Sequence, residues 1–333
     1  MLEVTTAGWI VTIAVVAGLL GFDLVMAGRR PHAVGFREAV AWSAFYVAVA
    51  LGFGVVLGLV AGWDHGIEYL AGYLVEKSLS VDNLFVFVII MATFAVPLEH
   101  QHRVLTLGIV GALLLRAAFI ALGAALLDAF AFMFLVFGLL LIGTAIQLYR
   151  HRDQDPDVED NVVVRAARRW LPFSDDYDGA RLTTRVDGRR LLTPLFLVLL
   201  AIGTTDVLFA LDSIPAVFGV TQSAFLVFAA NAFALLGLRA LYFLVTGLLD
   251  RLVYLSTGLA LILAFIGVKL VLHFGHTVDD GVPEIATTTS LLVIAVVLAV
   301  VTVASLRATR RDPSRRAHAG SLRAARREER AGR

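Results

Sequence analysis

The sequence predicts an all-α polytopic membrane protein, a helical bundle of about nine transmembrane helices. Three observations carry that reading. The 333-residue chain is 59% apolar, its mean hydropathy is +0.83, and only 17% of its residues are charged. Soluble domains run at about 45–50% apolar and about 25% charged. Most of the charges here fall in two blocks, 150–190 and 307–333. The stretches between them carry almost none, as membrane spans require.

The same figures exclude a soluble enzyme, a secreted disulfide scaffold and a nucleic-acid-binding domain. With no cysteine, thiolate metal sites, thiol nucleophiles and redox switches are also excluded. The N-terminus lacks a basic n-region and its apolar run is too long for a cleaved signal peptide.

A bilayer core of about 30 Å needs about 20 apolar residues per helix. Spans are expected near 7–27, 38–62, 67–96, 104–126, 129–149, 193–219, 223–248, 253–273 and 287–306. The third exceeds the bilayer thickness, so it tilts, breaks or projects. Residues 1–306 thus form the transmembrane domain, interrupted by one long loop of about 150–192 in which Arg165–Leu171 is a candidate short surface helix. The tail, 307–333, carries ten arginines and no apolar face, and is expected to be disordered.

Nine spans place 24 of the 28 basic residues on one side of the membrane, and Lys77, Arg116, Arg239 and Lys269 within spans. The other side holds only acids: Glu3, Asp64, Glu68, Asp128, Asp279, Asp280 and Glu284. By the positive-inside rule the chain sits in the cell membrane with its N-terminus outside and its tail cytoplasmic.

An internal repeat organises the spans. The third contains EKSLSVDNLFVF, with Glu76 and Asp82 six apart, and the sixth contains TTDVLFALDSIPAVF, with Asp206 and Asp212 six apart. A small polar residue, Asn83 or Ser213, follows each second acid. The next spans share LLLRAAF around Arg116 and LGLRALYF around Arg239, then LLD ending at Asp128 and Asp250. A weaker match pairs Ile142–Gly143 with Ile266–Gly267. Spans 3–5 therefore repeat as spans 6–8. Three is odd, so the copies run in opposite directions, the inverted repeat of many secondary transporters.

The chemistry lies in nine ionisable residues within spans: Asp23, Glu76, Lys77, Asp82, Arg116, Asp206, Asp212, Arg239 and Lys269. Each costs at least about 2.5–3.5 kcal/mol at mid-bilayer, so such residues face the interior and pair. At about 100° per residue, positions six apart diverge, whereas Glu76 and Asn83, or Asp206 and Ser213, share a face. A single site holding both acids of a motif would need a broken helix. Pro215, which frees the carbonyl of Leu211, supplies one in span six; the counterpart in span three falls near Ser78–Ser80. Carboxylate, amide, hydroxyl and carbonyl oxygens suit Mn²⁺, Mg²⁺ or Ca²⁺. The candidate metal residues are Glu76, Asp82, Asn83, Asp206, Asp212 and Ser213. Arg116, Arg239 and Lys269 are read as balancing charge, with Asp206 the partner of one arginine, left unassigned. Asn231 is a further polar residue inside a span. His273 and His276 beside Asp279 and Asp280 are either a softer metal site at the outer mouth or a solvated loop.

At these residues the chain resembles the TerC family. The resemblance is carried by 22–43, 73–105, 193–221, 231–244 and 263–273, with EKSLSVDN and DSIPA its most specific motifs. It implies a polytopic protein with an acidic metal site, family members being implicated in Mn²⁺ export, metal loading of secreted enzymes or membrane-protein biogenesis. Many members carry an acid where this chain has Gly203. The expected function is a secondary transporter exporting divalent metal, foremost Mn²⁺, in exchange for protons, with the lipid bilayer as its solvent and no enzyme activity. The alternative is a membrane scaffold assisting membrane or secreted proteins, its intramembrane charges purely structural.

Overall fold

A computed structural model describes residues 4–29, 36–150, 162–174, 177–179, 181–186, 189–248 and 253–311. The elements in chain order are α1 (Thr6–Arg29), α2 (Phe36–Ala61), α3 (Trp63–Thr93), α4 (Leu98–Ala129), α5 (Met133–Arg150), α6 (Val162–Trp170), β1 (Thr183–Val186), β2 (Arg189–Leu192), α7 (Pro194–Phe218), α8 (Ala224–Leu235), α9 (Leu238–Leu248), α10 (Leu255–Val278) and α11 (Thr287–Arg311).

Seven of the helices are long and apolar enough to cross a membrane by length and composition: α1, α2, α4, α5, α7, α10 and α11. The expectation was nine spans. The third corresponds to α3, whose 31 residues at 1.5 Å each reach about 46 Å, but which carries Glu76, Lys77 and Asp82 in mid-helix. The seventh is divided into α8 and α9 at Leu236–Gly237, where Gly237 takes φ +74° against the ring of Tyr46. A side chain there would be strained by the backbone and blocked by the tyrosine.

The surface explains the apolar composition. Leu59, Val60, Leu114, Leu208, Leu292 and Val300 are each more than 60% exposed. Such a belt suits lipid rather than water, and the chain is an integral multi-pass membrane protein.

Inside, two hydrophobic clusters are stacked along the helices. One takes Tyr69 to Leu79 of α3, Ile120 and Leu127 of α4, and Ala210 to Phe218 of α7. The other takes Leu84 to Met91 of α3, Val104 to Ala112 of α4, and Leu195 to Ile202 of α7. Between them runs a layer where α3, α4 and α7 present polar side chains.

Three expectations are corrected here. The α3 helix is continuous through Ser78–Ser80, since serine does not interrupt a helix, and Ser78 Oγ donates to the Leu74 carbonyl of the preceding turn at 2.5 Å. The α7 helix likewise continues through Pro215. The tail's first five residues, 307–311, extend α11; the remainder, the Asp250 match and residues 151–161 lie outside the described residues.

The described residues of the long loop carry regular structure. Its surface helix is α6, and Val164 and Ala167 are buried against the second cluster. A hairpin, β1 paired antiparallel with β2, follows. Tyr177 donates to the Phe94 carbonyl at 2.6 Å, and burial pushes its phenol above the ordinary range.

Helices α5 and α10 meet at two glycines. A Cβ on Gly138 would lie 2.8 Å from the Gly267 carbonyl oxygen and 3.1 Å from Val271 N; one on Gly267 would lie 2.8 Å from the Gly138 oxygen and 3.1 Å from Ile142 N. The contact is reciprocal, each glycine meeting the other and the residue four beyond it. Gly143, the expected match of Gly267, has nothing within 4 Å of its Cβ position.

Gly138→Ala should therefore lower thermal stability in detergent by the equivalent of about 1–3 kcal/mol, the usual cost of overpacking, while Gly143→Ala leaves it unchanged or raises it. Equal effects at both positions would contradict the crossing.

Candidate functional site

The polar layer is centred on Arg116. It is fully buried in mid-α4, and its guanidinium reaches three other helices. Nη1 pairs with Glu76 of α3 and donates to Asn231 Oδ1 of α8 at 3.0 Å. Nη2 meets Asp206 Oδ1 of α7 at 3.4 Å. With the Asn83 amide assigned so that both its ends are satisfied, Nη2 also donates to Asn83 oxygen at 2.9 Å, and the Asn83 nitrogen donates to the Leu79 carbonyl at 3.0 Å.

The local sequence explains why these groups converge. Glu76 and Asn83 are seven apart, two helical turns, so an intact α3 directs both to one line. Asp206 is the thirteenth of the 25 residues of α7, near the centre of the span. Both carboxylates are buried. One guanidinium thus faces two carboxylates, and the cluster is one positive charge short of balance.

It is also short of hydrogen-bond partners. Glu76 Oε2, Asp206 Oδ2, Ser80 Oγ, Ser213 Oγ and Asn231 Nδ2 are buried without a hydrogen-bond partner. Buried polar atoms are ordinarily satisfied by protein or water. Oxygens dominate this unsatisfied set, which is the donor chemistry of a hard cation.

Of the six expected site residues, the structure brings Glu76, Asn83 and Asp206 to a common centre. Asp212 is directed elsewhere: it accepts from Thr144 Oγ1 of α5 at 2.9 Å, as six-residue spacing on an unbroken helix demands. Asp82 is partly exposed and has no hydrogen-bond or ion-pair partner among the described residues. Ser213 is buried with a free hydroxyl. No group of three or more His, Asp or Glu side chains close enough to hold a metal ion occurs among the described residues. Arg116 stands among the carboxylates that would otherwise approach one another.

The second arginine behaves differently. Arg239 of α9 pairs with Asp23 of α1 at 2.9 Å, and Tyr46 of α2 donates to the same Asp23 oxygen at 3.2 Å. Lys77 donates to the Ala234 carbonyl at 3.0 Å. The unassigned partner of Asp206 is therefore Arg116. Asn231 had been noted as a polar residue within a span, whereas Thr144 had not been noted at all. An asparagine inside an apolar span was a signal for the first; nothing in the sequence marked Thr144 apart from other span threonines.

The sequence matches the profile of the integral membrane protein TerC family over residues 61–313. The chain belongs to the TerC family. An uncharacterized membrane protein of Mycobacterium tuberculosis is 48% identical over 311 residues, covering 89% of this chain and 78% of that protein. The thylakoid membrane protein TERC of Arabidopsis thaliana is 45% identical over 231 residues, 69% of this chain and 60% of that protein. A Shigella flexneri relative, whose name assigns it provisionally to membrane-bound redox modulation, is 39% identical over 272 residues, 79% and 85% of the two chains. No solved structure matches. The TerC profile begins at Ala61, just before α3, so the whole polar layer lies within it and Asp23 lies outside.

The pairing predicts a specific double-mutant cycle. Arg116→Gln and Asp206→Asn should each destabilise the protein in detergent by about 3–5 kcal/mol, because each leaves a buried group uncompensated, and the double variant should recover part of that loss. Arg239→Gln with Asp206→Asn should be additive, Arg239 being paired with Asp23 and Asp206 with Arg116.

Proposed function

We propose that this protein is a secondary transporter that exports a divalent metal, foremost Mn²⁺, from the cytoplasm in exchange for protons. The observation that carries the reading is the charge deficit at Arg116. Two buried carboxylates share one guanidinium, and an uncompensated buried carboxylate costs several kcal/mol. The deficit is met by a proton or by a cation. Whichever occupies the layer excludes the other, which is the thermodynamic basis of exchange.

Metal would be held by Glu76, Asn83, Asp206 and the free hydroxyls of Ser80 and Ser213. Asp82 and Asp212, on the same two helices but on other faces, would pass the ion to and from that layer. Oxygen donors favour Mn²⁺, with Mg²⁺ and Ca²⁺ as competitors. The sequence contains no nucleotide-binding motif, so the driving force in this reading is an ion gradient.

In this reading the chain crosses the cell membrane nine times, α3 and the α8–α9 pair each counting as a span. Its N-terminus is outside and its arginine-rich end cytoplasmic. The motif match of spans 3–5 with spans 6–8, three spans apart, supports an inverted repeat in this reading. Thiol redox chemistry is not available to a chain without cysteine.

Asp82→Asn and Asp212→Asn, at matched expression in an exporter-deficient strain, should each reduce Mn²⁺ efflux at least about tenfold, equivalent to about 1.4 kcal/mol. Unchanged efflux in both would place the carboxylates in a structural role and favour a scaffold, for which co-purification with membrane-protein partners is the direct assay. A reporter fused after Arg311 should be cytoplasmic and one near Asp280 external; the reverse result would remove the inverted topology.

A further inference from the structure

The short helix α6, VVVRAARRW, lies outside the polar layer and has no part in the reading above. It is held where α3 ends and α7 begins. Val164 and Ala167 are buried in the second cluster with Leu195 to Ile202, the first turns of α7 after Pro194. The Arg168 guanidinium lies 5.6 Å from the ring centroid of Phe94, the residue that follows the last turn of α3. The helix α6 therefore sits at the rim of the bundle, beside the ends of two long apolar helices.

Its sequence divides it into three faces. With Val164 as the origin and about 100° per residue, Ala167 lies at about 300°, and these two buried residues mark the face against the bundle. Arg168, Arg165 and Arg169 follow at about 40°, 100° and 140°. Trp170 and Val163 take the remaining arc, at about 240° and 260°. The helix carries no acidic residue to balance its arginines, and all three arginines are exposed.

The bundle covers only part of the apolar surface of α6. Trp170 is 79% exposed and Val163 44%, on the side of the buried face opposite the arginines. An indole is amphipathic, and the membrane–water interface is where such rings are enriched. The bilayer is also close at hand. Leu208 of the lipid-facing belt is six residues beyond Ile202 on α7, about 9 Å along the axis. A helix lying in the membrane plane with the bundle on one side turns its apolar face to hydrocarbon and its basic face to the headgroups. The three faces of α6 have that order.

We infer that α6 is an interfacial helix whose ligand is anionic phospholipid in the leaflet on its side of the bundle. Trp170 and Val163 enter the boundary between headgroups and acyl chains, and Arg165 and Arg169 meet the headgroups. A zwitterionic headgroup cancels its own phosphate charge, whereas a basic face without acids selects a headgroup of net negative charge. Arg168, stacked on Phe94, holds the helix to the rim. The inference needs neither the proposed transport nor the direction in which the chain crosses the membrane: it stands on α6 and the helices that carry it.

The test uses the purified full chain reconstituted into vesicles of phosphatidylcholine and phosphatidylglycerol in equal amounts. One lipid or the other is supplied with brominated acyl chains, which quench a tryptophan in contact with them. The chain has four tryptophans, so the Trp170 signal is the difference between the unmodified chain and Trp170→Phe. Brominated phosphatidylglycerol should quench that signal more than brominated phosphatidylcholine. The preference, read as a ratio of association constants, should fall at least about fivefold in the Arg165→Gln, Arg169→Gln double variant, the factor set by about 1 kcal/mol per arginine near an anionic surface. Because the chain has no cysteine, Val163→Cys and Arg169→Cys each accept a single nitroxide spin label. The Val163→Cys label should collide with dissolved oxygen, and the Arg169→Cys label with a water-soluble nickel complex. The inference is overturned if neither lipid quenches Trp170, if both quench it equally, or if the preference survives in the double variant. It is also overturned if the Val163→Cys label meets nickel rather than oxygen, the result expected of a face that awaits a protein partner. The lipid comparison leaves every arginine in place, so it decides the matter even where an arginine variant fails to fold.

Discussion

Everything in the bundle is arranged around the buried guanidinium of Arg116. A charge at mid-bilayer is tolerated only where partners meet it from several directions, and here α3 supplies two, α7 one and α8 one. This requirement fixes the mutual rotation of four helices. Turning any of them by one residue, about 100°, would strand Arg116 or a carboxylate in hydrocarbon. Apolar packing above and below the layer contributes the bulk of the contact area, but it is directionally tolerant. Leu and Ile side chains do not distinguish one helix rotation from another as sharply as a five-donor planar group does.

That constraint accounts for what was and was not legible in the sequence. The apolar composition, the motif repeat and the isolated intramembrane charges were readable because each is a local property. Which arginine meets which acid was not, because Arg116 reaches partners 40, 90 and 115 positions away along the chain. The expected helix break in α3 came from asking both acids of a motif to serve one centre. The protein solves the problem with the other spacing: Glu76 and Asn83 lie two turns apart on an intact helix, and Asp212 is released to Thr144. The IG match does not mark where α5 and α10 cross. Short apolar dipeptides carry little positional information, whereas the crossing geometry marks Gly138 by the absence of room for a single methyl group. The β1–β2 hairpin was not foreseen at all; of the long loop the sequence reading anticipated only the short helix that is α6.

The charge balance also bears on how such a layer can operate. A preformed chelate of carboxylates without a cation would be self-repelling, and a membrane interior offers no counterion to relieve it. A tethered guanidinium relieves most of that repulsion without filling the last position. Because arginine does not deprotonate, the proposed exchange would have to change the occupancy of a carboxylate proton or an external ion and not the charge of Arg116. The orphaned oxygens of Glu76, Asp206, Ser80 and Ser213 are therefore compatible with a stable fold while leaving the layer unsatisfied.

The two arginines of the repeat show how sequence symmetry becomes functional asymmetry. Arg116 and Arg239 occupy matching motifs, yet only Arg116 enters the central layer. Arg239 is drawn to Asp23 on α1, a helix with no counterpart in the repeat, and Tyr46 on α2 holds the same carboxylate. Gly237, between α8 and α9, lets the chain turn against Tyr46 and start a new helix at Leu238, one residue before Arg239. A continuous helix through this point would carry Arg239 along the axis of α8, whose Asn231 already bonds Arg116. The kink therefore separates the second arginine from the first, and α1 neutralises the one displaced. In a perfectly symmetric bundle two guanidinia would face the central carboxylates and cancel their charge. With one removed to the periphery, the two central carboxylates share a single guanidinium, and the layer is left one positive charge short of balance.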